Sequence, residues 1–371
     1  MAVSTKTRCI VWARAAGRCQ FLGCNKLLIG DLVAGNDGLN AAYVAHIVAE
    51  TEGGPRGDLI RSPLLADDPA NLMLMCDPHH RLIDRDEIKN YPEERLLSIK
   101  KTCEQRIELA TGIAPDRASA ILRYGAVIGA NESVISIPQC SVAMAETHFP
   151  ASREPIDLSM AGVELSDSEP DYFPVQIRNL RRQFDAKVRG RLERHEIEHV
   201  SVFALAPIPL LIELGCLLSD ISPAAVYQLH REPAGWRWAR DGGRVNFRVH
   251  CPEAVGTTVA LKIGLSACVT DDRVYDVLGQ NTTIWSVDVG DPHNDCIRYP
   301  EDLAEYRRLL RRQFSLIKAT HGESCEICLF PAVPVSIAIE TGRVWMPKAD
   351  LRIRIFDQAG ETGFVERHRL G

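Results

Sequence analysis

The sequence predicts an α+β N-terminal unit followed by an α/β unit built from two related halves. Three observations carry this. Two pairs of soft metal ligands, Cys19 with Cys24 and Cys76 with His79, bracket a strand, loop, strand and helix near the N-terminus. Beyond residue 170, a helix, an apolar strand, a proline turn and a second helix occur twice. The strand in each copy is apolar without alternation, as expected of a strand covered on both faces in a parallel sheet.

A chain of 371 residues exceeds what one hydrophobic core ordinarily serves, so more than one domain is expected. At 46% hydrophobic and 25% charged residues, its composition is that of an ordinary soluble protein. The longest apolar run, 202–218, contains Pro207, Pro209 and Glu213, and so reads as strand, turn and helix, with no membrane span expected. No N-terminal segment has the composition of an export signal, which makes a cytoplasmic location the expectation. The twelve cysteines are then expected to stay reduced, and close Cys/His groupings point to metal before disulfides. Net charge is -6; residues 1–120 carry 15 Lys+Arg against 16 Asp+Glu, and the remainder 28 against 33. With a net -5, the C-terminal part is a poor second DNA-reading domain.

Four residues separate Cys19 from Cys24, and two separate Cys76 from His79. Each pair on a tight turn can present two ligands to one tetrahedral zinc ion, and four ligands close a structural site. Between the pairs, 41–47 is a strand-like apolar run containing His46, and "GGPRG" at 53–57 is a loop. Residues 71–76 form a second strand-like run. Asp77 is a good N-cap and Pro78 a good first helical residue, so a short helix is expected to start there. Arg56 either meets a phosphate among the loop glycines or sits on an ordinary surface turn. Residues 92–110 place Leu96, Ile99, Cys103, Ile107 and Ala110 at helical spacing, with Glu93 and Glu94 in the first turn and Gly112 past the end.

This order, with "AHI" at 45–47, "NLMLMC" at 71–76 and "CDPHH" at 76–80, resembles the HNH endonucleases over about residues 9–112. The resemblance implies an HNH (ββα-metal) nuclease domain with a structural zinc on Cys19, Cys24, Cys76 and His79. It makes His46 the general base, Asn71 the residue that orients the loop or that base, and His80 the ligand of a catalytic Mg2+ or Mn2+. A neutral imidazole can take a proton from water near pH 7, and a divalent ion stabilises charge developing on the phosphate. Many members carry an acidic residue before the first His, whereas position 45 is Ala. Asp84, one helical turn beyond His80, is a candidate second ligand, as is the Asn71 side chain.

Residues 113–170 read as a connecting segment with one or two strands of its own, partly belonging to the next domain. Farther on, Phe203-x3-Pro207-x5-Glu213-x-Gly215 recurs as Phe330-x3-Pro334-x5-Glu340-x-Gly342, and "LRRQF" at 180–184 recurs at 310–314. Two Rossmann-like halves are expected, about 171–285 and 286–371, with ligands beyond the strand C-termini near Pro207 and Pro334. The stretch 200–357, with "LAPIPLLIELG" and "GWRWA", resembles the SAVED domain, a fusion of two CARF-like sensor units. Joined to the N-terminal motif, it resembles the HNH-SAVED effector nucleases of CBASS anti-phage systems.

That resemblance implies a cyclic di- or trinucleotide activator made by a partner cyclase, with a cyclic dinucleotide the favoured form. It further implies double-stranded DNA as substrate, and a homo-oligomer that is a dimer at rest and larger when activated. Candidate ligand contacts are Trp236 and Trp238 for stacking, with Lys262, Ser266, Arg273 and Lys348 for phosphates or base edges. Cys325 and Cys328 lie in a strand run, where residues three apart face opposite ways, and read as core. Two other readings stay open: a non-catalytic zinc-binding sensor of cyclic nucleotides, and a restriction-type HNH nuclease with a C-terminal DNA-reading domain.

Overall fold

The computed structural model describes residues 3–31, 36–40, 42–129, 135–159, 166–220, 222–239, 241–252 and 256–371. Two compact units divide the chain, 1–114 and 115–371. Among the described residues no helix is long and apolar enough to cross a membrane.

The N-terminal unit runs α1 (Thr5–Arg14), β1 (Ile29–Asp31), β2 (Asn36–Asn40), β3 (Ala42–His46), α2 (Arg61–Leu65), β4 (Leu72–Cys76), α3 (Asp77–Arg81) and α4 (Glu93–Thr111). β3 and β4 pair antiparallel, with Ala45 opposite Met73 and His46 opposite Leu72. Every residue of β4 is buried, packed with Val11, Ala15, Ile47, Ile83, Leu96 and Ile99 into one core. α3 begins one residue earlier than its sequence suggests: Cys76 is the N-cap, and Asp77 is helical and pairs with Arg81 across one turn. An acidic first-turn side chain with a basic partner four residues on stabilises the helix without capping it.

The C-terminal unit begins with β5 (Ala118–Gly125), α5 (Ile137–Met144), β6 (Phe149–Pro150), β7 (Ile156–Asp157), α6 (Tyr172–Phe184) and α7 (Gly190–Glu193). It continues with β8 (Val200–Leu205), α8 (Ile208–Leu218), β9 (Ala224–Val226), β10 (His230–Arg231), β11 (Ala234–Gly235) and β12 (Phe247–His250). The last elements are β13 (Thr258–Gly264), α9 (Asp271–Leu278), β14 (Thr282–Val289), α10 (Pro300–His321), β15 (Glu326–Ala332), α11 (Val335–Val344), β16 (Arg352–Gln358) and β17 (Phe364–Leu370). The first sheet is ordered β6-β5-β8-β9 with β7 also on β5, and its pairings are parallel. The second is ordered β12-β14-β13-β15-β16-β17, with four parallel strands between antiparallel edges β12 and β17.

Two boundaries differ from the sequence expectation. The segment 113–170, expected to belong to the next domain only in part, lies in the C-terminal unit from Pro115 onward, and its strand β5 pairs with β8, Ala120 opposite Val200 through Gly125 opposite Leu205. The expected division between halves at 285/286 falls inside β14, which with β13 opens the second sheet. Both errors arise because the visible repeat begins at a helix, whereas each half begins with a strand whose counterpart has a different sequence.

Where the repeat is visible, both copies run helix, strand, proline, helix and strand: α6, β8, Pro207, α8, β9 and α10, β15, Pro334, α11, β16. The repeated glycines explain why the motif ends in Glu-x-Gly. A Cβ on Gly215 would lie 1.9 Å from the Ile339 carbonyl oxygen, and one on Gly342 would lie 1.9 Å from that of Ile212. α8 and α11 therefore cross backbone to backbone, each glycine meeting the other copy's helix. Forcing a methyl into such a packed contact costs about 1–3 kcal/mol. Gly215→Ala and Gly342→Ala are each expected to lower the unfolding free energy of the C-terminal unit by that much, read as a lower denaturant midpoint at unchanged slope, and equal midpoints would show that the helices simply separate.

Candidate metal centres and a cavity in the C-terminal unit

The Cys19 turn is held against β4 by a residue with no obvious ligand chemistry. Gln20 acts as a short extra strand: its N–H donates to the Leu74 carbonyl at 2.9 Å, and its side-chain Oε1 accepts from the Leu74 N–H at 2.7 Å. The turn reverses at Gly23, whose φ of +80° suits a residue without a side chain. Cys24 thereby returns toward Cys19. The ligand atoms of Cys19, Cys24, Cys76 and His79 all lie within 4.8 Å of one another. His79 Nδ1 is 3.7 Å from Cys19 Sγ and 3.1 Å from Cys76 Sγ. Bonds of about 2.3 Å to sulfur and 2.0 Å to nitrogen in a tetrahedron separate donors by roughly 3.5–3.8 Å, so the set fits zinc with small adjustment.

Burial pushes the Cys19 thiol up to about 12 and lowers His79 below the ordinary imidazole value. The histidine is thus kept in the neutral form that a metal requires, whereas the thiol needs a cation to give up its proton. The His79 ring stacks on Phe21, centroids 4.0 Å apart, which fixes its orientation.

His46 ends β3, and its Nε2 lies 3.0 Å from the Ala66 carbonyl oxygen. A carbonyl only accepts, so Nε2 carries the proton of the neutral ring and Nδ1 is left as the acceptor. Asn71 is buried, and its side chain is consumed by the backbone beyond His46. Nδ2 donates to the Val48 carbonyl at 2.8 Å and the Leu65 carbonyl at 3.2 Å, and Oδ1 accepts from the Val48 N–H at 2.8 Å. With both ends occupied, Asn71 ties Val48, just past His46, to Leu65 at the end of α2 and is no metal ligand here. Ala45 is 1% exposed and packed in the core, so it contributes nothing to a metal site.

His80 stacks on Tyr43, centroids 4.7 Å apart, and its Nε2 is 3.1 Å from Asp84 Oδ2. The other Asp84 oxygen accepts from Arg56 Nη2 at 2.6 Å. Burial raises the Asp84 carboxyl, but the hydrogen bonds from His80 and Arg56 outweigh it and hold it below the usual carboxylate range. Two donors at right angles about an ion, each about 2.1 Å away, stand roughly 3.0 Å apart. The His80 and Asp84 atoms fit that spacing. Arg56 does not project outward as a phosphate contact would; its side chain is 8% exposed and its guanidinium is spent on backbone carbonyls and Asp84.

In the C-terminal unit the expected ligand residues scatter. Trp236 is core, edge-on to Phe203 at 5.4 Å. Lys262 Nζ pairs with Asp271 at 2.5 Å and reaches the Val269 carbonyl. Arg273 bonds Gln358 and lies over the Phe364 ring. Pro207 and Pro334 are the N-caps of α8 and α11. Ser266 follows β13 with its N–H on the Ala332 carbonyl, and Lys348 is exposed.

Trp238 alone lines a cavity of about 680 Å3, together with Arg117, Arg237, Arg244, Arg307 and Tyr227. Its walls come from both halves, β9 on one side and the start of α10 on the other. Sequence reading passed over these arginines because they are dispersed along the chain, although Arg237 lies between the two tryptophans of "GWRWA".

A profile described as "SAVED: SMODS-associated and fused to various effectors sensor domain" matches residues 180–369. Among solved structures, the Acinetobacter baumannii Cap4 SAVED/CARF-domain containing receptor with the cyclic trinucleotide 2'3'3'-cAAA is similar at 11% identity and a TM-score of 0.43, over 75% of this chain and 61% of that one. The structure of that receptor described without a nucleotide is similar at 11% identity and a TM-score of 0.42, over 77% and 60% of the two chains. The Moraxella osloensis Cap4 receptor is similar at 9% identity and a TM-score of 0.40, over 75% and 59%. The chain thus spans about three fifths of the length of these receptors. No curated protein matches its sequence.

Proposed function

The chain belongs to the SAVED family of sensor domains, and from that premise we propose that it is a ligand-gated effector whose C-terminal unit binds a cyclic oligonucleotide and whose N-terminal unit cuts double-stranded DNA. The ligand is a cyclic di- or trinucleotide from a partner cyclase in an anti-phage response, and its binding drives a resting dimer into a larger assembly. The observation that carries the enzyme half is His46, whose Nε2 is committed to the Ala66 carbonyl and whose Nδ1 is left to accept a proton.

In this reading His46 takes the proton of the attacking water, and Asn71 keeps the strand end and the Leu65–Ala66 segment in register with it. His80 and Asp84 hold a Mg2+ or Mn2+ ion, which supplies charge stabilisation at the phosphate. Cys19, Cys24, Cys76 and His79 hold a structural zinc. The cavity supplies guanidinium groups for phosphates and two aromatic rings, Tyr227 and Trp238, for bases.

A thermal-shift panel of cyclic di- and trinucleotides, including the trinucleotide found with the A. baumannii receptor, tests the sensor half. A ligand at 100 times its Kd adds about 2.7 kcal/mol to the stability of the unit that binds it. The matching ligand is expected to raise the melting temperature of wild type, and Trp238→Ala or Arg237→Glu to abolish the rise. If Ser266→Glu abolishes it and the cavity variants do not, the site lies instead at the strand ends. Plasmid cleavage is expected only with ligand and Mg2+ together, and cleavage without ligand would refute gating. The buried Ala45 favours one alternative, a zinc-binding sensor without nuclease activity, in which no divalent ion binds at His80.

A further inference from the structure

Arg56 stands in a conformation that arginine seldom adopts. Its φ is +59°, in the left-handed region that residues with a side chain seldom occupy. The loop around it is tight: a Cβ on Gly57 would lie 2.4 Å from the carbonyl oxygens of Thr51 and Glu52, and one on Gly54 2.5 Å from the Ala49 methyl. Such a turn persists when other contacts over-determine it, and Arg56 makes four. Its Nε donates to the Ile47 carbonyl at 2.5 Å, Nη1 to the carbonyls of Ile83 at 2.8 Å and Tyr91 at 3.4 Å, and Nη2 to Asp84 Oδ1 at 2.6 Å.

These contacts join two segments that are distant in sequence. Ile47 is the residue after His46, at the end of the strand that carries the base. Ile83 and Asp84 lie just beyond α3, on the segment that carries His80. We propose that Arg56 is a positioning residue that locks the base-bearing strand to the metal-bearing segment and fixes the Asp84 carboxylate so that its second oxygen stays at His80. This rests on the nuclease reading and adds to it a carboxylate positioned from elsewhere, in place of the acidic residue that position 45 lacks. A planar guanidinium can serve three directions at once, which a lysine ammonium at the end of a flexible chain cannot do at the same points.

The test uses the full chain and the variants Arg56→Lys and Arg56→Met, with three readouts: bound zinc by elemental analysis, Mn2+ affinity by calorimetry, and ligand-activated plasmid cleavage. Residues that orient metal ligands typically contribute 10- to 100-fold in affinity or activity. Zinc is expected to remain at the wild-type level in Arg56→Lys while Mn2+ affinity and cleavage each fall by that factor. Wild-type Mn2+ affinity in both variants overturns the proposal. So does loss of zinc from both, because the arginine would then simply hold the fold. If wild type binds Mn2+ but cuts no DNA with any activator, the nuclease reading fails, and the fall in Mn2+ affinity in the variants still decides the role of Arg56. If wild type binds no Mn2+, both ideas fall together.

Discussion

His46→Ala is expected to reduce ligand-activated DNA cleavage by about 100- to 10,000-fold, the range a positioned general base contributes, while the melting-temperature rise caused by the activating ligand is unchanged. The two halves of this expectation rest on separate parts of the chain. The imidazole is half-buried at the end of β3, and its Nε2 proton is bound by the Ala66 carbonyl. Truncation leaves that carbonyl and the reciprocal Asn71–Val48 bonds in place, so the loop keeps its shape. Ligand binding belongs to the other unit. Measuring kcat and KM for a plasmid substrate together with the thermal shift separates the outcomes. Cleavage at the wild-type rate would remove His46 from the reaction, and loss of the thermal shift would mean that the substitution acts through folding.

Removal of zinc is expected to unfold the N-terminal unit and leave the C-terminal unit intact. Structural zinc sites in small peptides contribute on the order of 10 kcal/mol, against total domain stabilities of about 5–15 kcal/mol. The unit's core is modest, and its two-stranded β3–β4 sheet is the kind that does not stand alone in water. Cys76→Ser is expected to cost one zinc per chain and to expose residues 3–114 to protease, while 115–371 stays protected. A chelator is expected to do the same to wild type, faster at lower pH, because protons compete with metal for the thiolates. Protease resistance without zinc would show that the four ligands are packing residues.

The Cys/His cluster was legible because its chemistry is carried by spacing: two short pairs, each on a turn, need only one long-range contact to meet. The repeat was legible for a related reason, since identical offsets from phenylalanine to glycine imply identical local structure, but the crossing of its two helices was not. Contacts made by side chains against backbone left no such trace. Gln20 pairing with Leu74 and Arg56 turning inward to three carbonyls have no periodicity, and a glycine-flanked arginine reads equally well as a phosphate contact. In the C-terminal unit Trp236 and Trp238 alternate in sequence, and only packing decides that one fills the core beneath Phe203 while the other faces a cavity. A strand in 113–170 was expected, but its place beside β8 was not, because the run of 118–125 is interrupted by Arg123, whose charge is met by Asp157 on the neighbouring strand β7.

The glycine crossing of α8 and α11 also determines how the two copies of the repeat are held together. Two separate copies of one half would associate only above some concentration and would present identical walls. Within a single chain their encounter is intramolecular, so the crossing persists however dilute the protein. Each copy is also free to carry its own residues. Glu213 is held by Arg181 and His368, whereas its counterpart Glu340 is held by Arg307 and Arg343. The crossing thus joins two copies that are alike in backbone yet unlike in the charges around their paired carboxylates, an asymmetry that a true twofold would forbid.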